Sequence, residues 1–334
     1  MIVMGKILAT IQTLSTVSLV ACSVVFFPVP SFSTDLPKIR AAVLKIGTVN
    51  WELDTIRRNG FDTANGFELV VQPFADNGAT RVAFAGGETD VVVADWIWVA
   101  SQRAAGKDYV FIPYSKAVGS MVVKNDHPAR TLADMKGLKI GIAGGPVDKS
   151  WLILQAYARQ QYDIDLADQT EQVFGAPPLI FKAALKGETD GAVNFWHFLA
   201  KMKVAGMREL ISVSDASRAL GLDPEIPLLG YVFSESFLSN NPGLAIGFYR
   251  ASRSAKDLLA KDDGAWEPLR ERMRVKNDAQ YKSLRRDFRA GIPNSGNIDE
   301  SNAAKMLELM SELGGAKLVG KATVLPEGVF ADLE

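Results

Sequence analysis

Five of the six tryptophans, Trp51, Trp96, Trp98, Trp151 and Trp196, stand within a few residues of a predicted strand end or open the helix that follows. Indole faces stack on planar rings and attract cations, at about 0.5–2 kcal/mol per contact. Core packing explains Trp98 and Trp151 equally well. Trp96 and Trp196 occupy matching positions in an internal repeat and are expected to face one cleft. Asp95 and Asn194 sit beside them at strand ends. A buried carboxylate needs a partner, so Asp95 is a candidate for an ammonium or ring N–H of a ligand, or for the N-cap of the next helix. Asn50, Trp51 and Glu52 open an earlier helix, where Glu52 either meets a ligand or complements the helix dipole. Phe74 ends a strand and is matched by Phe174 in the repeat. Gly145, Pro146 and Ser150 lie where a loop enters the Trp151 helix, whose first amides can hold an anionic group. The Lys149-Ser150 pair invites a P-loop reading, but Asp148 occupies the position where that motif needs glycine. His127 and His197 are isolated and read as structural. No arginine is expected at the cleft, which points to a cationic, zwitterionic or heteroaromatic solute rather than a tightly held anion.

Composition narrows the classes. The chain has 334 residues, 48% hydrophobic and 22% charged, which fits two globular domains and argues against disorder. A net charge of −1 supplies no global field for nucleic acid or anionic lipid. One cysteine and two histidines leave little for disulfide scaffolds, zinc sites or iron–sulfur clusters, and no metal or other cofactor is expected. The basic stretches 270–276 and 282–289 are interspersed with acids and read as solvated helix faces.

The elements that would position these residues recur. Leu44-Lys45-Ile46-Gly47 returns as Leu138-Lys139-Ile140-Gly141, and Gly87-Glu88-Thr89-Asp90 as Gly187-Glu188-Thr189-Asp190. The second match extends to Phe74 with Phe174, Ala83 with Ala183, Trp96 with Trp196 and Ala100 with Ala200. Each copy alternates apolar strand runs with helices: strands near 43–49, 67–71 and 91–93, then 138–142, 171–174 and 191–193. Such alternation implies right-handed parallel crossovers and an α/β sheet in each of two lobes. The run 109–123 reads as a strand leaving the first lobe for the second, and 228–233 as a strand returning. Helices expected at 244–260, 266–275, 278–289 and 301–313 should then rejoin the first lobe. The divisions expected are a leader at 1–33, the first lobe at 40–118 and 231–334, and the second at 119–230. Ligand belongs between them, at strand carboxyl ends.

The amino end reads as an address. Lys6, an apolar stretch over 7–29 and Ser31-Phe32-Ser33 form a secretory signal peptide with its cut after Ser33. Leu19-Val20-Ala21-Cys22 also fits a lipobox that would anchor the chain through Cys22, although the apolar run continuing past it favours the soluble form. An uncleaved anchor has sufficient length as well.

Together with these features, the run Asp126-His127-Pro128 … Thr131-Leu132-Ala133-Asp134-Met135-Lys136-Gly137 resembles the periplasmic solute-binding proteins of ABC importers, in the nitrate/sulfonate/taurine and thiamine-precursor branch. The resemblance covers about residues 40–260. It implies a two-lobed type II periplasmic binding protein fold with two hinge crossovers and C-terminal helices packed on the first lobe. It also implies a periplasmic monomer that delivers a small-molecule solute to an inner-membrane permease, without catalysis and without nucleic acid. A fungal branch that makes the thiamine pyrimidine uses a cysteine-rich motif absent here. A sensor or chaperone serving a periplasmic enzyme or receptor is the alternative use of such a fold.

Overall fold

The structure, a computed structural model, describes residues 36–332. The expected signal peptide and the lipobox Cys22 lie outside the described residues. The chain begins with β1 (Lys38–Leu44), α1 (Val49–Arg58), α2 (Phe61–Ala64), β2 (Glu68–Phe74), α3 (Asn77–Ala85), β3 (Val91–Asp95), α4 (Trp96–Arg103) and β4 (Tyr109–Ser115). It continues through β5 (Ser120–Lys124), β6 (Lys139–Ala143), α5 (Lys149–Tyr162), α6 (Leu166–Gln169), β7 (Glu171–Gly175), α7 (Pro177–Lys186), β8 (Gly191–Asn194), α8 (Trp196–Val204), β9 (Met207–Ser212) and α9 (Val213–Ala219). It returns as β10 (Leu229–Ser234) and ends in α10 (Glu235–Asn240), α11 (Pro242–Lys261), α12 (Arg270–Met273), α13 (Asp278–Ala290) and α14 (Glu300–Val319).

Two five-stranded sheets result, in the orders β2-β1-β3-β10-β4 and β7-β6-β8-β5-β9. In each, three strands run parallel and a visiting strand pairs antiparallel with two neighbours: β10 with β3 and β4, β5 with β8 and β9. The central strands are buried on both faces, which is why they read as unbroken apolar runs: Ala41, Ala42 and Val43 in β1, Ile140 and Ile142 in β6. This is the expected two-lobed α/β architecture, with the chain crossing between sheets over 116–119 and again over 220–228.

The Gly-Glu-Thr-Asp repeat is a structural clamp in both lobes. Gly87 and Gly187 end α3 and α7 at φ +74° and +77°, a conformation that favours glycine. The Asp90 carboxylate then accepts the Arg40 backbone N–H at 2.8 Å, and Asp190 accepts that of Lys139 at 2.9 Å, fixing helix end to first strand. Arg40 and Lys139 are therefore equivalent, and the Leu-Lys-Ile-Gly match is out of register. Its first copy ends β1 and enters a turn, whereas its second opens β6.

The C-terminal helices return to the first lobe. Phe248, Ala251 and Ala255 of α11 join Leu53 and Ile56 of α1 in one apolar cluster, and α14 packs on α4. They also reach the second lobe: α13 packs on α8 and α14 on α5.

Candidate functional site

A cavity of about 370 Å³ opens where β1, β3, β6 and β8 end, with Leu44, Asp95, Gly144 and Phe195 on its wall. Strand carboxyl ends aim the following helices' first turns at this space. Asp76, Asp95 and Asp148 cap α3, α4 and α5 by accepting the amides of Ala79, Trp98 and Trp151. The cavity-lining starts of α1 and α8, at Thr48 and Phe195, have no side-chain cap. Among their first amides, those of Asn50, Trp51 and Phe198 bond to nearby carbonyls, which leaves Val49, Trp196 and His197 as donors for another acceptor.

Asp95 is the electrostatic centre. One carboxylate oxygen caps α4 at 2.9 Å from the Trp98 amide. The other accepts Lys149 Nζ, from the opposite lobe, at 2.9 Å and lies 3.8 Å from Arg81. Burial pushes this carboxyl up, but Lys149, the Trp98 amide and Arg81 outweigh it and hold it below the usual range. Arg81 stacks over Trp98 at 4.6 Å, and burial lowers its pKa. Asp148, across the cavity, is pushed up to about 6 by burial, against the pull of the Trp151 amide and Lys149 and with a push from Asp95. Burial, then the charge of Lys201, lowers the His197 imidazole to about 3, so it is neutral at physiological pH.

Of the residues singled out from sequence, Asp95, Ser150 and Trp196 line the cavity. Asp95 is at once the N-cap and an ion-pair member, its partner being Lys149. Trp196 stands edge-on to Trp51 at 5.8 Å, so Trp51 backs the wall without forming it. Trp96, expected to face the cleft, is instead fully buried and packs on Phe330 at 5.7 Å. The repeat does place Trp96 and Trp196 alike, each opening a helix. The C-terminal tail breaks the symmetry: residues 329–331 bond to Phe111 of β4 and cover Trp96.

Other expectations need correction too. Asn50 pins the turn after β1 by donating to the Leu44 and Gly47 carbonyls, and the N-cap is Thr48. Glu52 lies beneath the floor, bonded to Lys256, Tyr231 and Ser252 at 2.6–2.8 Å. Asn194 turns to the Pro177 carbonyl and the Phe195 amide. Phe74 packs against the core, Trp151 is buried within it, and Gly145 and Pro146 fall outside the lining. The expectation of no cleft arginine fails at Arg81. Asp76 caps α3, and that helix carries Arg81 to the wall. Lys149 and Tyr114 are also on the wall and were missed, as was His197, which the sequence reads as structural. The aspartate before Lys149 was the available signal, as an N-cap that sets the lysine at a helix start.

Among solved structures, the periplasmic aliphatic sulphonate binding protein SsuA of Escherichia coli is similar at 15% identity and TM-score 0.68, over 86% of this chain and 92% of that one. The alkanesulfonate-binding protein SsuA of Xanthomonas axonopodis pv. citri, bound to MOPS, is similar at 15% identity and TM-score 0.67, over 90% and 99%. The desulfurization enzyme DSZB is similar at 15% identity and TM-score 0.56, over 88% and 97%. These likenesses show the fold. No curated protein matches the sequence. The family model described as NMT1/THI5 like matches residues 56–265, well over half of the sequence, and the chain belongs to that family.

Proposed function

We propose that the protein is the exported, periplasmic substrate-binding component of an ABC importer, which closes two lobes on a small solute and hands it to a permease. The observation that carries this reading is a cavity of about 370 Å³ walled by helix starts from both lobes, which the chain joins through two short crossings. Hinge closure around a solute is the motion such a build supports. Two similar structures bear names of sulfonate-binding periplasmic proteins, which favours binding without turnover.

The wall chemistry narrows the solute. Arg81, Lys149 and the uncapped starts of α1 and α8 favour an acidic group. Phe195, Trp196 and Tyr114 favour a flat or apolar body. Of the classes expected from sequence, a purely cationic solute loses its ground, and zwitterionic or heteroaromatic acids keep theirs. The test is thermal unfolding with methanesulfonate, taurine, MOPS, benzenesulfonate and pyridine-3-sulfonate, beside spermidine as a cation. A ligand at a hundred times its Kd stabilises by about 2.7 kcal/mol and raises the Tm. A shift with acids, with the solute recovered chemically unchanged, supports the reading. No shift with any acid, or a shift with spermidine alone, overturns it.

A further inference from the structure

We propose that His197 selects the solute, by hydrogen-bonding an uncharged group on it: a ring nitrogen, a carbonyl or a hydroxyl. The assignment rests on the acid-solute reading above and adds a second recognition point to it. His197 is the second residue of α8 and lines the cavity beside Phe195 and Trp196. Its ring is fixed by neighbours, with centroids at 6.3 Å from Phe195, 5.7 Å from Trp196 and 4.6 Å from Phe198. Among the described residues its imidazole makes no hydrogen bond within the protein, and neither ring nitrogen is a fully buried orphan. Other polar side chains on the wall are already engaged: Arg81 and Lys149 each with Asp95, and Asp148 with the start of α5.

A neutral imidazole offers one donor and one acceptor. Burial, with the charge of Lys201 beside it, keeps the ring neutral. An uncharged polar group finds a hydrogen-bonding complement in that donor and acceptor. Leaving that imidazole against a purely apolar solute would cost a lost hydrogen bond in an enclosed site, about tenfold in affinity.

The probe pair is pyridine-3-sulfonate and benzenesulfonate, which share charge and outline and differ by one ring nitrogen. Calorimetric titration of the full mature chain at pH 7.5 should give about a tenfold preference for the pyridine. His197→Phe should abolish the preference, leaving both near the wild-type benzenesulfonate affinity, and His197→Gln, which keeps a donor and an acceptor, should restore part of it. The preference should stay flat from pH 5 to 8. Equal binding of the pair by the wild type, or a preference that survives in His197→Phe, overturns the assignment alone. Should His197→Phe not fold, full preference in His197→Gln together with a pH-dependent wild-type preference overturns it. Failure of both probes while methanesulfonate raises the Tm also overturns it, because the ring it is meant to read is then not accepted. Failure of every acid overturns the reading beneath it.

Discussion

At the scale of single residues, identical sequence position does not give identical role. Trp96 and Trp196 each open a helix at the end of a central strand, yet Trp96 is sealed under the C-terminal tail with its indole N–H unpaired. Trp96→Ala is therefore expected to remove about 3–5 kcal/mol of stability and roughly 10 °C of Tm, with solute affinity unchanged within about twofold. Calorimetric unfolding and titration of the same preparation check this, and a large affinity loss at constant Tm would return Trp96 to the site. Asp148 supplies a pH dependence. Its pKa of about 6 means that it gains a proton as pH falls from 7.5 to 5, removing a negative charge beside Lys149. Asp95, held low, and His197, near 3, keep their charge states over that interval. An anionic sulfonate should thus bind several-fold more tightly at pH 5 than at pH 7.5. Asp148→Asn should flatten the profile at the tight-binding level. For the solute-free protein the sign is the same. A carboxyl raised from 3.8 to about 6 contributes stability below the lower value, and loses it as pH rises through the upper.

At the scale of elements, the joint between α8 and α13 matters most, because it ties the two lobes together beside the cavity. Lys201 of α8 donates to the Met273 and Arg274 carbonyls at 3.0 and 3.1 Å, Ser283 of α13 donates to the Ala200 carbonyl at 3.2 Å, and Lys203 lies 3.6 Å from Asp287. Lys201→Met keeps the apolar stem and removes the two bonds to the Met273 and Arg274 carbonyls. If these bonds form only when the lobes close on solute, solute should then leave about tenfold faster by stopped-flow, with the association rate within about threefold. An unchanged release rate would show that the joint does not hold the closed state. How far this was legible varies by element. Alternating apolar runs and helices marked both sheets and both crossings, because buried parallel strands have a one-dimensional signature. The Gly-Glu-Thr-Asp copies were legible for the same reason: one local clamp, used twice. The Leu-Lys-Ile-Gly copies misled, since four common residues carry no register of their own. Lys149 was lost because its partner Asp95 is 54 residues away in the chain. The joint itself was illegible, since no local pattern tells which lobe an amphipathic helix such as α13 will meet.

At the scale of the whole molecule, the two lobes meet at an aromatic centre that can be watched. Trp51 of the first lobe meets Trp196 of the second at 5.8 Å, and Trp266 and Phe288 complete the cluster at 6.1 and 6.0 Å from Trp51. Trp196 also faces the cavity, so one indole belongs both to the solute's wall and to the seam between lobes. A solute closes the protein only to the extent that it binds the closed form better than the open one, and here both gains pass through Trp196. Opening would withdraw that ring from Trp51 into water. The tryptophan emission of the protein should therefore shift to shorter wavelength when methanesulfonate binds. Trp196→Phe should lose most of that shift while retaining measurable binding by calorimetry, and Trp96→Phe should keep it. A small-angle scattering radius that falls on binding, with the same midpoint as the fluorescence, would tie the optical signal to lobe movement. If instead the shift persists in Trp196→Phe, or the radius stays constant while solute saturates, the lobes do not move about this seam, and the cavity fills without closure.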